Sequence, residues 1–318
     1  MTTINYTMAS ATVNFSEVGG IAGKRIWGYL TSPESKALKV VKVIVGSPLF
    51  IILAAAAITS TFLACIVHIA AIPMALDKNF NLKSFNNYYK SSVKEVMAVF
   101  FAIIMFPIDL TALNPQKSQS KKIPIVLVHG YFHNSSAWFY QREKLKQHID
   151  ADVYTINLKN VWGTIEQHAQ HLQKEIRKIE VATGRSDVFL VGHSMGGYVI
   201  SFYATNLAKK NTVKTAVTIA SPLEGTTIAR AAVGKSGREM EFNSESSKKL
   251  NHSIRKSKIP FVHMGSVTDL MIRPMKSTMP VHSNATYVEY DCGHTTFLQS
   301  HKVTDTIVGA YRRMSAGG

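Results

Sequence analysis

Residues 189–198 read FLVGHSMGGY, an apolar run ending in Gly192-His193-Ser194-Met195-Gly196 with a further glycine behind it. The Gly-x-Ser-x-Gly spacing suits a serine on a tight turn between a strand and a helix. A side chain at either flanking position would collide with neighbouring backbone, so the small residues have a steric cause. Such a turn pushes the Ser194 hydroxyl out of the sheet, where a base can reach it. The residues that follow, YVISFYATNLAKK, are apolar and helix-compatible, which completes the required context. Ser194 is the expected nucleophile.

Three further segments supply what a nucleophilic serine needs. Upstream, residues 123–134 read IPIVLVHGYFHN, an apolar run suited to a strand buried on both faces, ending in His129-Gly130. A backbone N–H just past that glycine can point at a developing oxyanion, and the amide of Met195 can supply a second donor. The first donor is assigned to Tyr131, with Phe132 as the alternative, and His129 is read as a structural loop residue. Downstream, residues 259–274 read IPFVHMGSVTDLMIRP, another apolar strand that gives way to Asp269. That carboxylate would lie at the carboxyl end of a parallel strand, on the edge shared with Ser194; it could also cap a short helix starting at Leu270. Finally, residues 285–294 read ATYVEYDCGH, a strand followed by a turn and His294. The chain order Ser194, Asp269, His294 matches one known arrangement of a nucleophile, an acid and a base. His263 lies inside a strand and His301 in the last helix, so His294 is the expected base. His193, fixed beside the nucleophile, is expected to support the site from behind.

Through HGYFHN at 129–134, GHSMGG at 192–197, IASPLEGTTIA at 219–229, GSVTDLMIRP at 265–274 and CGHTTFL at 292–298, residues 123–318 resemble the α/β-hydrolase superfamily. They look most like small bacterial lipases and esterases and related lipid deacylases. The resemblance implies an α/β-hydrolase fold, a mostly parallel central sheet flanked by helices. It also implies a Ser-His-Asp triad that opens carboxylic esters, lipids among them, through an acyl-enzyme. No cofactor or metal is expected, and no role is carried onto Glu224. The pattern supports this fold independently, because strand-like segments at 123–128, 152–157, 187–192, 213–220, 259–264 and 285–290 alternate with helical stretches. In residues 163–182, Ile165, Ala169, Leu172, Ile176 and Ile179 recur at helical spacing. Residues 230–258 are expected to form a short polar cap.

The first third of the chain reads differently. Residues 43–74 contain no Asp, Glu, Lys or Arg, and the stretch 48–76 is long enough to cross a bilayer as a tilted helix. A second apolar stretch, 96–113, runs uncharged only to Ile108 before Asp109. It is expected either to cross, completing a hairpin with Lys94, Glu95 and Asp109 near the headgroups, or to lie at the interface. The organisation expected is a polar, basic tail (1–42), a membrane module of one or two transmembrane helices (43–113), a linker (114–122) and a catalytic domain (123–318). Lys24, Arg25, Lys36, Lys39 and Lys42 argue for a cytoplasmic N-terminus, and a hairpin would return the catalytic domain to that side.

The net charge of +16 over 318 residues raises the question of nucleic acid, but the lysines are scattered and no nucleic-acid motif occurs. Attraction to anionic lipid headgroups accounts for the charge as well. Two cysteines, one in an apolar span and one beside His294, make no disulfide framework. The expected function is a membrane-anchored serine hydrolase with acyl-ester or lipid substrates. The competing readings are a lipid acyltransferase using the same triad and a non-catalytic membrane scaffold that retains the fold.

Overall fold

The apolar runs that read as strands become the middle layer of a three-layer molecule. The structure, a computed structural model, describes residues 6–9, 82–118, 120–160, 162–280 and 283–316. In chain order, a short strand β1 (Tyr6–Ala9) and a long helix α1 (Leu82–Met105) come first. Then follow β2 (Ile125–Val128), α2 (Phe139–His148), β3 (Val153–Ile156), α3 (Ile165–Thr183), β4 (Val188–His193) and α4 (Met195–Phe202). The remainder is β5 (Val213–Ile219), α5 (Gly234–Glu239), α6 (Glu245–Lys256), β6 (Phe261–Ser266), β7 (Ala285–Tyr290) and α7 (His301–Ala316). Every strand pair is parallel, in the order β1-β7-β6-β5-β4-β2-β3. Six strands, β2 to β7, are those expected from the sequence, and β1 adds along the outer edge at β7.

Alternation along the strands explains why helices cover both faces. Val126 and Val128 of β2 and Leu190 of β4 join one core cluster with Ile165, Ala169, Leu172, Ile176 and Ile179 of α3. Their neighbours Ile125, Leu127, Phe189 and Val191 join the opposite cluster with Leu145 of α2 and Ile307 and Tyr311 of α7. Each aliphatic side chain buried this way contributes about 1.5–3 kcal/mol. Helix α3 starts and stops where its ends dictate. Thr164 and Gln167 close a capping box, and Gly184 ends the helix at φ 67°.

The order of the strands fixes where a site can form. The chain leaves β2 outward to β3, then returns past β2 to build β4 on its other side. At this reversal the loops after β2 and β4 diverge and open a crevice beyond their carboxyl ends. Gly130 and Tyr131 follow β2, and Ser194 follows β4.

Two expectations need correction. Residues 245–256 belong not to a polar cap but to the crossover helix α6 between β5 and β6, with Leu250 and Ile254 buried in the core. The second apolar stretch, expected to cross or skim a membrane, forms the latter part of α1, which packs on the catalytic domain, and the short helical turn Leu110–Leu113. Ala98 and Met105 are fully covered, Phe101 packs on Tyr140, and Gln299 Nε2 donates to the Ala98 carbonyl at 3.3 Å. Asp109, expected at headgroup depth, instead ties a loop together, accepting from Thr111, Ser135 and Asn157. Burial alone would raise its carboxyl, but those hydrogen bonds hold it below its ordinary value. Among the described residues no helix is long and apolar enough to cross a membrane. The stretch 48–76, like the tail before it apart from β1, lies outside the described residues.

Candidate active site

Ser194 stands between the last residue of β4 and the first of α4, with φ 55° and ψ −125°. A non-glycine residue in this region costs about 1–3 kcal/mol and persists where surrounding packing enforces it. The enforcement is visible at Gly192, where a Cβ would lie 2.5 Å from the Gly196 backbone. At Gly196 a Cβ would strike the Val128 and His129 carbonyl oxygens. The elbow can form only because β4, α4 and the end of β2 approach this closely.

His294 follows β7 and is largely buried. Its Nδ1 lies 2.8 Å from Asp269 Oδ2. The carboxylate can only accept, so Nδ1 carries the proton and Nε2 is left with a free lone pair. Burial opposes protonation of this ring, but the facing Asp269 carboxylate, its hydrogen bond and the Glu95 charge outweigh it and raise His294 above the ordinary imidazole value. Asp269 is 1 % exposed, and its other oxygen accepts from the amides of Met271 at 2.7 Å and Ile272 at 3.2 Å. One Asp269 oxygen thus caps a turn while the other faces the imidazole.

Ser194 and His294 line one cavity of about 310 Å³, together with Tyr131, Leu270 and Met271 and with Val96 and Val99 from α1. Among the described residues no hydrogen bond joins the Ser194 hydroxyl to His294. Neither the Tyr131 nor the Met195 amide donates to a described residue. The Tyr131 hydroxyl donates to the Val233 carbonyl, which ties the loop after β2 to the segment before α5.

The other histidines have structural work. His129 accepts the Leu158 amide on Nε2 at 2.9 Å and donates from Nδ1 to the Gly130 carbonyl at 2.8 Å. Burial pushes it down to about 4, so it stays neutral and shapes the loop after β2. His193 donates from Nε2 to the His294 carbonyl at 2.9 Å and so braces the loop that carries His294. Burial, with His294 and His133 close by, keeps it well below its ordinary value. Cys292 is fully buried, and burial, then neighbouring carboxylates, raises its thiol well above the ordinary value; it offers no nucleophile. Glu224 lies elsewhere, bonded to Asn251.

The sequence reading missed the contribution of α1. Ser91, Ser92 and Glu95 line the cavity with the two valines, and the Glu95 carboxylate accepts from the loop that carries His294. The one signal in the sequence was a lone carboxylate at the start of an apolar run, which reads equally well as a headgroup-depth charge.

Residues 123–242 match the family described as alpha/beta hydrolase fold. Among solved structures, lipase B of Aspergillus fumigatus is similar at 19 % identity and a TM-score of 0.54, over 61 % of this chain and 53 % of that one. The chain therefore spans about half the length of that lipase. A mature-form lipase of Bacillus licheniformis is similar at 16 % identity and a TM-score of 0.52, over 61 % of this chain and 93 % of that one. At such identities the likeness is one of fold. The chain carries the α/β-hydrolase fold.

Proposed function

We propose that this protein is a serine hydrolase of carboxylic esters, with acyl lipids as its substrates. The observation that carries the reading is the Asp269–His294 hydrogen bond, 2.8 Å long, which leaves Nε2 as an acceptor in the cavity lined by Ser194. Ser194 gives its proton to His294 Nε2 as its oxygen attacks the ester carbonyl. The amides of Met195 and Tyr131 then donate to the oxyanion, each such donor being worth about 3 kcal/mol in the transition state. His294 returns the proton to the leaving alcohol, and the acyl group stays on Ser194 until water, deprotonated by the same imidazole, releases the acid. The hydroxyl–imidazole contact closes when substrate fills the cavity, as catalytic hydrogen bonds commonly do.

The apolar wall from Val96, Val99, Leu270 and Met271 supports an acyl chain as the group bound. Exposed Met97 on α1, Phe132 beside Tyr131 and Met271 at the cavity support delivery from an amphiphilic source. In this reading residues 48–76 anchor the enzyme in a membrane.

The test is a panel of short soluble esters, monoacylglycerols and phospholipids, combined with peptide mapping after fluorophosphonate treatment. The expected result is acid release from one of these classes and an adduct on residue 194. An adduct elsewhere, or no hydrolysis of any member, overturns the reading. Acyl appearing on an added alcohol in place of free acid would make the protein a transferase.

The pH profile carries a sign. His294 must be neutral to take the Ser194 proton, and its pKa is raised, so kcat/KM falls as pH drops through that raised value. The acid limb, measured with a soluble ester, is expected above the ordinary imidazole value of about 6.5. A limb well below that value would show that the Asp269 pairing does not act in the free enzyme.

A further inference from the structure

Helix α1 touches both loops that bring the acid and the base to the site. Ser91 Oγ donates to Thr268 Oγ1 at 3.1 Å, one residue before Asp269. One turn on, Glu95 Oε1 accepts the Thr295 amide at 2.7 Å, and Oε2 accepts the Thr296 amide at 2.9 Å and its hydroxyl at 2.8 Å. These two threonines follow His294 directly. Another turn on, the Ala98 carbonyl accepts from Gln299. Positions 91, 95 and 98 share one face of the helix, and that face is turned to the base loop. The approach is close enough to restrict the residue before the base. A Cβ on Gly293 would lie 2.7 Å from the Glu95 Cβ.

Three donors on one carboxylate satisfy the start of the short helical turn Thr296–Gln299, which a neutral cap could do nearly as well. The charge adds something a cap does not need. Glu95 also lines the cavity beside Ser194 and His294. His294 is faced by Asp269 from the loop after β6, by Glu95 from α1, by His193 from β4 and by His133 from the loop after β2. Both histidines are held neutral by burial, so of these four it is the two carboxylates that favour the protonated ring. Two carboxylates therefore act on the ring, one bonded to Nδ1 and one bonded to the two residues that follow it.

We infer that Glu95 is a positioning residue for His294, holding the base loop in register with the elbow and supporting the imidazolium that forms during turnover. Helix α1 is thereby a working wall of the site. The inference rests on the serine-hydrolase reading above, and it concerns residues outside the span that matches the alpha/beta hydrolase family.

The test uses the full chain with E95Q, which keeps the shape and one acceptor oxygen but removes the charge. E95Q is expected to fold with a Tm near that of the unaltered protein. Its kcat on a soluble ester is expected to fall roughly tenfold, as small displacements of a base do. The distinguishing readout is the acid limb of kcat/KM, which moves to lower pH once one of the two carboxylates facing the ring is gone. A loss of structure alone would lower the rate and leave the limb in place. An unshifted limb in folded E95Q overturns the inference whatever the rate does. Should E95Q not fold, Glu95→Asp withdraws the charge by one methylene and must move the limb the same way by less; no movement there overturns it equally. Turnover and residue-194 labelling of the unaltered protein test the hydrolase reading by themselves. With both present, an unshifted limb counts against Glu95 alone.

Discussion

Ser194→Ala is expected to lower kcat on any ester the protein hydrolyses by about 10⁵–10⁶-fold and to abolish fluorophosphonate labelling. The hydroxyl is the only atom removed, and among the described residues it bonds to nothing that would be left unpaired. The positive φ of the elbow strains alanine and serine alike, since the conflict involves Cβ and the backbone. The variant should therefore melt within a few degrees of the unaltered protein, as surface-like truncations usually do. What activity remains comes from the Met195 and Tyr131 amides and from substrate binding. Steady-state kinetics on a soluble ester, with a thermal melt beside them, decide the matter. A variant within tenfold of the unaltered rate would remove Ser194 from the chemistry and leave the elbow as a structural turn.

The second large effect is expected for Asp269→Asn, a loss in kcat of about 10³–10⁴-fold. One Asp269 oxygen holds two backbone amides and the other faces His294 Nδ1. An asparagine can keep its oxygen on the two amides and turn its NH2 toward the ring. The imidazole must then present a lone pair at Nδ1 and carry its proton on Nε2, the wrong tautomer for a base acting on Ser194. Because the turn keeps its acceptor, stability should change far less than rate. If Asp269→Asn kept most of its activity, the carboxylate would be a turn cap only, and the acid would have to be sought elsewhere. Comparing kcat with Tm across the two variants separates chemistry from folding.

The sheet and the residues around the elbow were legible because their signals are local. Strands buried on both faces show as apolar runs, and α3 shows as Ile165, Ala169, Leu172, Ile176 and Ile179 at helical intervals, all of them buried. The elbow announces itself through glycines that no other packing would require. Asp269 and His294 could be found because each lies just past a strand, and parallel strands bring such positions to one edge. The polar crossover helix α6 was misread for the complementary reason. Only Leu250 and Ile254 carry its apolar face, with small polar Ser247 and Asn251 filling the rest of the buried stripe, so its composition resembles an exposed cap.

Helix α1 was misread because hydropathy registers escape from water and not the destination. A stretch such as 96–108 is equally content against lipid or against a protein surface, and residues 82–95, which begin the same helix, are largely polar. The Glu95 contact was invisible for a different reason. Its partners lie 200 and 201 residues further along the chain, and no pattern within a window of sequence can anticipate a meeting that depends on the finished fold.

Trimming the polypeptide to the point where the common architecture starts would therefore strip a packed helix from the domain. Such a fragment would retain Ser194, Asp269 and His294, yet it would open to solvent the seat vacated by Ala98 and Met105. The amides after His294 would have only water to answer them. The recognisable scaffold and the domain as it is packed occupy different lengths of the same polymer.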